Sequence, residues 1–137
     1  MNTRKGFTLV ELLVVIAILA ILATVSVVGY TAFINGADEQ AAITEADQIK
    51  GTFDAGLTLN KYITVGATTY TRTEGKLVVY TGNEATEENT FKATDIDATT
   101  AAKIQVVKVG GVDTVVYHSG DYYVDLNTGK LVTVTAQ

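Results

Sequence analysis

Residues 4–34 read RKGFTLVELLVVIAILAILATVSVVGYTAFI, and the reading of this stretch decides the fold. Arg4 and Lys5 precede a run that is apolar except for one carboxylate, Glu11. Between Glu11 and Asp38 lie 26 residues without a charged side chain. A helix rises ~1.5 Å per residue, so about 20 residues cross a hydrocarbon core of ~30 Å, and Leu12 to Ile34 is long enough to span. The basic pair before the run and Asp38–Glu39 after it predict a cytoplasmic N-terminus by the positive-inside rule.

The polar segment that follows continues the helix. In ADEQAAITEADQIKGTFDAGLTLNKY, residues 37–62, the positions Ala42, Ala46, Ile49, Phe53 and Leu57 recur at steps of three and four. That spacing makes one apolar stripe, with Glu39, Glu45, Asp47 and Lys50 mostly off it. A continuous helix from about Thr8 to Asn60 is expected, roughly 80 Å long. Glycines at 29, 36, 51 and 56 each cost up to ~1 kcal/mol against alanine, and bending or local melting is expected near Gly29 to Gly36.

From about residue 61 the composition shifts to Thr, Val, Tyr and Gly. KLVVYTG, AKIQVVKV, VDTVVYHS, DYYVDL and KLVTVT are short β-branched and aromatic runs. Gly110–Gly111, Ser119–Gly120 and Asn127–Thr128–Gly129 suit tight hairpins between the last four. The expectation is an antiparallel meander of four strands, with the 76–81 run a candidate fifth. Residues 83–100, NEATEENTFKATDIDATT, have no clear period and read mostly as surface loop. The fold class is therefore α+β: a long N-terminal helix, membrane-spanning first and amphipathic second, packed against an antiparallel β-meander. Three parts are expected: a leader at 1–6, a transmembrane helix at 7–34, and a globular domain at 35–137 holding the helix's second half, 35–60, and the sheet.

The totals narrow the function. Across 137 residues there is no cysteine and no proline, so disulfides and thiolate metal sites are ruled out. A net charge of −5 opposes non-specific nucleic-acid binding, which needs Lys and Arg to neutralise phosphates, and no nucleic-acid partner is expected.

An ordinary secretory signal has an apolar core of roughly 7–15 residues; this run is about twice that length. An uncleaved anchor is the simpler alternative, but it gains nothing from Glu11. A carboxylate near the centre of a spanning helix costs ~2.5–3.5 kcal/mol on insertion scales, and less near an edge. The residues KGFTLVELLVV, 5–15, closely resemble the processing signature of type IV pilins and related prepilin-like proteins. That resemblance covers about the first 30 residues. It implies cleavage by a prepilin peptidase between Gly6 and Phe7, N-methylation of Phe7, and Glu11 as the hallmark acid at the fifth position of the mature chain. Removing Arg4 and Lys5 leaves 8 basic against 15 acidic side chains, a side-chain net of −7. Many members carry a proline in the second half of the apolar segment. This chain has Val27–Val28–Gly29 there, so any bend has to come from glycine.

Small residues Ala17, Ala20, Ala23, Thr24, Gly29 and Ala32 would let helices approach closely, although alanine is also simply common in helices.

Elsewhere the sequence shows no catalytic constellation, and no enzyme activity is expected. His118 is the only histidine, and its neighbour Ser119 points to the opposite face of a strand. The acids Glu87, Glu88, Asp95 and Asp97, or Asp113, Asp121 and Asp125, could offer oxygen ligands to Ca²⁺, but they lack a glycine-punctuated loop of fixed spacing. No metal or cofactor is expected. Tyr117, Tyr122 and Tyr123 read equally as core or contact residues.

The resemblance implies a structural subunit, a major pilin, held in the cell membrane by a single pass and then assembled into an extracellular helical filament of identical copies. The implied partners are the prepilin peptidase and an assembly machinery that includes an inner-membrane platform protein. Alternatives are a pseudopilin of a type II secretion or competence system, or a minor tip pilin with a binding role.

Overall fold

The computed structural model describes residues 6–134. Arg4, Lys5 and most of the 1–6 leader lie outside the described residues, as does the end of the tail. Helix α1 runs Leu9–Leu59 without interruption. The melting expected near Gly29–Gly36 is absent: both glycines are helical, and the i→i−4 ladder carries them because no proline removes a donor or clashes with the preceding turn. α1 stops at Asn60, whose backbone N–H and side-chain amide both donate to the Gly56 carbonyl.

The chain divides into two compact units, the first ending at Ala37 and the second beginning at Asp38. In the first, every described residue is exposed. In the second, the trailing part of α1 buries Ala42, Ala46, Ile49, Phe53 and Gly56, which reproduces the expected stripe, with Leu57 half-buried against the same core.

Among the described residues the strands number eight in two sheets, where a single meander was expected. The first sheet holds β1 (Tyr62–Val65), β2 (Thr68–Thr73), β3 (Lys76–Val79) and β4 (Thr90–Lys92) in the order β3-β2-β1-β4. β1–β2 and β2–β3 are antiparallel, whereas β4 joins β1 in parallel. The second sheet is the expected meander of β5 (Ile104–Val109), β6 (Val112–Ser119), β7 (Tyr122–Asp125) and β8 (Leu131–Val132).

Residues 83–100 are mostly exposed turn and loop, as expected, but not entirely so. They supply β4 and a short helix, α2 (Ala98–Ala102), whose N-cap Asp97 accepts the Thr100 N–H at 2.7 Å. The segment before β4 lies across the outer face of the first sheet. Tyr62 is buried there, its ring 4.4 Å from that of Tyr80 and its hydroxyl 3.2 Å from Glu84.

The core lies between the α1 stripe and both sheets. Phe53 meets Tyr70 edge-to-face at 5.1 Å, and Ile63, Leu77, Tyr117 and Val124 are buried in the same cluster. Gly56 lets α1 pass close to the first sheet: a Cβ there would lie 2.8 Å from Ile63 and from Phe91.

Candidate assembly site

Gly6 and Phe7 are exposed and precede the helix, and Phe7 is 91% exposed. Next to them the backbone is set by a reciprocal cap. The Thr8 N–H donates to Glu11 Oε2 at 2.9 Å, and the Glu11 N–H donates to Thr8 Oγ1 at 3.2 Å. This is a capping box, Thr at the N-cap and Glu three residues on, and it satisfies two of the amides that a helix start leaves without partners. The helix dipole also favours a negative charge in the first turn. Glu11 therefore has a partner within its own chain. Gly6, Phe7, Thr8 and Glu11 together line one concavity of about 480 Å³.

Beyond the cap, the large apolar side chains from Leu9 to Phe33 stand exposed, and the least so, Val14, is still 48% exposed. The hydroxyls among them are turned inward on the helix. Thr24 donates to the Ile21 carbonyl at 2.8 Å, Ser26 to Leu22 at 2.7 Å, and Thr31 to Val28 at 3.0 Å. Such back-bonding leaves the surface of this segment apolar and its polar groups satisfied without water. Tyr30 and Phe33 stand near its far end, where aromatic rings suit a membrane–water boundary.

The other residues singled out in the sequence belong to the second unit. His118 is half-buried and stacks on Tyr123, ring centres 4.3 Å apart, while Ser119 turns to Glu45. Asp113 pairs with Lys108 at 2.7 Å, and Glu87 lies 3.4 Å from Lys92. Asp125 orders the β7–β8 turn by accepting from the Asn127 N–H and the Thr128 hydroxyl. Among the described residues, no group of three or more His, Cys, Asp or Glu side chains is placed to hold a metal ion.

Of the three tyrosines left open by sequence, Tyr117 is core; Tyr122 and Tyr123 are half-buried. Burial and the adjacent Glu45 carboxylate push the Tyr117 hydroxyl up to about 12. Burial raises the Asp54 carboxyl, but its bonds to Lys50 and Arg72 outweigh this and hold it below its usual value. Sequence reasoning missed the role of Thr8, although the signal was present as T-x-x-E directly before an apolar run.

Residues 1–27 match a family described as "Prokaryotic N-terminal methylation motif". A curated relative, the "Fimbrial protein" of Moraxella nonliquefaciens, is 48% identical over 50 residues, which cover 36% of this chain and 32% of that protein. The match thus spans about a third of the relative's length. No solved structure matches. Motif and relative together support a type IV pilin-like family for this chain, and they rest on its N-terminal part.

Proposed function

We propose that this type IV pilin-like fimbrial subunit is the major pilin of a type IV pilus. The observation that carries the reading is the site at the head of α1: one capped carboxylate, Glu11, leading a helix segment whose apolar surface is exposed throughout. Such a segment needs lipid, or other copies of itself, around it.

In this reading residues 1–6 are the leader, 7–34 the membrane and filament-core helix, and 35–137 the outward domain. The subunit waits in the cell membrane by a single pass, N-terminus in the cytoplasm. Prepilin peptidase cuts between Gly6 and Phe7 and Phe7 is N-methylated. The assembly machinery, with its inner-membrane platform protein, moves the subunit into the growing filament outside the cell.

Cleavage leaves a positive amine on Phe7, and Glu11 of the next copy is the acid that meets it. In a dry bundle opposite charges attract strongly, and leaving either unpaired is costly, so the pair sets axial register even if its net stabilisation is small. Copies repeating one heterologous contact that does not close give an open helical fibre.

The test is the intact mass and N-terminal residue of the protein in filaments sheared from cells. N-methyl-Phe7 on the dominant component establishes the major pilin. The same terminus at trace abundance replaces that reading with a minor pilin or pseudopilin. A chain still starting at Met1, found only in membranes, means a plain anchor.

A further inference from the structure

Four strands end the two sheets: β3 and β4 in the first, β5 and β8 in the second. An open edge offers unpaired N–H and C=O groups to another chain, and folded proteins shorten, plug or cover such edges. Three of the four are managed here. β8 has two residues and β4 has three. On β3 the Leu77 N–H donates to Asn127 Oδ1, which reaches over from the turn after β7, at 2.6 Å.

β5 is different. It is six residues long, IQVVKV, with one charge and no proline. The His118 N–H donates to the Lys103 carbonyl, and the register runs from Ile104 opposite Tyr117 to Val109 opposite Val112. Antiparallel ladders alternate, so Gln105, Val107 and Val109 bond to β6 while the main chain of Ile104, Val106 and Lys108 faces outward. Among the described residues, these outward groups have no backbone partner. Gln105, Val106 and Lys108 are exposed, and Val106 keeps 48% of its surface open.

We propose that β5 pairs with β5 of a second copy, antiparallel about a two-fold axis at Val106, joining two four-stranded sheets into one. Outward groups have to meet outward groups, which fixes the parity of the register. Centring on Val106 is the arrangement that uses all three outward residues of both strands. It sets Val106 against Val106 of the second copy, Gln105 against Val107, and Lys108 against Ile104. About six main-chain hydrogen bonds form and no like charges stand opposite one another. Shifting the centre to Lys108 would oppose two ammonium groups, which destabilises. The contact is a property of the outward domain and does not require that copies be strung into a filament. Where filaments exist, it becomes a lateral contact between neighbouring ones.

The chain lacks cysteine, so one introduced thiol reports the register. In a hydrogen-bonded antiparallel pair the Cα atoms lie ~5.5 Å apart, within the range that a disulfide bridges. Full-length Val106→Cys and Val112→Cys are oxidised in detergent. Val112 is the control, at 54% exposure but on β6. The expected result is disulfide dimer at least tenfold faster for Val106→Cys. Adding Lys108→Pro, which removes an outward N–H and no ladder bond, should abolish that advantage. Equal rates at the two positions, no dimer at position 106, or indifference to Lys108→Pro would each overturn the proposal.

Discussion

The Tyr117 hydroxyl donates to Glu45 Oε2 at 2.8 Å, tying β6 to α1 across 72 residues of sequence. Ser119 reaches the same oxygen at 3.3 Å, and the Lys103 ammonium lies 5.7 Å from the Tyr117 ring centre. One carboxylate on the helix thus aligns a strand and orients its main core tyrosine.

Alkaline stability should report this bond. Folding raises the Tyr117 hydroxyl from an ordinary 10.0 to about 12, because burial and Glu45 disfavour the phenolate. The folded state therefore holds the proton longer than the unfolded state. The contribution is fully present below about pH 10 and is lost as pH rises through about 12. Tyr117→Phe should cost ~1 kcal/mol at neutral pH and flatten part of the alkaline loss. Denaturant unfolding from neutral pH to about pH 12 checks both.

Asp54 works in the opposite direction. Its carboxyl is held below the usual 3.8 despite burial, by Lys50 at 2.7 Å and by Arg72. A depressed carboxyl stabilises the fold above its unfolded value, and the contribution disappears as pH falls through the lower folded value. Arg72→Ala should leave neutral-pH stability within ~1 kcal/mol, as exposed pairs do, while removing part of the acid dependence below about pH 4. An acid titration followed by circular dichroism tests this; an unchanged curve would count against the bond.

The glycines of α1 should separate by environment. A Cβ at Gly51 meets nothing within 4 Å, so Gly51→Ala should stabilise by ~0.5–1 kcal/mol through helix propensity. At Gly56 the same methyl meets Ile63, which is fully buried, and overpacking of ~1–3 kcal/mol should exceed the propensity gain. Thermal unfolding of the two full-length variants should move in opposite directions.

The capping box makes a prediction for the head of the helix. Thr8→Val should cost ~0.5–2 kcal/mol of local helix stability and speed amide exchange at Glu11, whose N–H loses its acceptor. Glu11→Ala removes the other half of the box and, on the pilus reading, the partner of the Phe7 amine. Normal filament yield from Glu11→Ala would sink that role.

The sequence by itself determined what local periodicity can encode. The apolar run after Glu11, the stripe Ala42–Ala46–Ile49–Phe53 and the glycine-marked hairpins of β5–β8 each depend on residues within a few positions of one another. A three-residue strand pairing in parallel with β1 from 28 residues away leaves no such signature, so β4 was invisible within 83–100. β1 and β2 were overlooked for a related reason. Their strand signal is confined to YITV and TTYTRT, and the positive φ of Gly66 that joins them is known only from the fold. The Thr8–Glu11 cap was legible as a pattern, and only coordinates show that both bonds form together. Tertiary structure alone decided which glycine touches the sheet, that Asn127 plugs the edge of β3, and that Glu45 serves Tyr117. The physical reason is common to all three: each depends on a distance between elements far apart in the chain, fixed by packing of the whole core and not by the propensity of any segment within it.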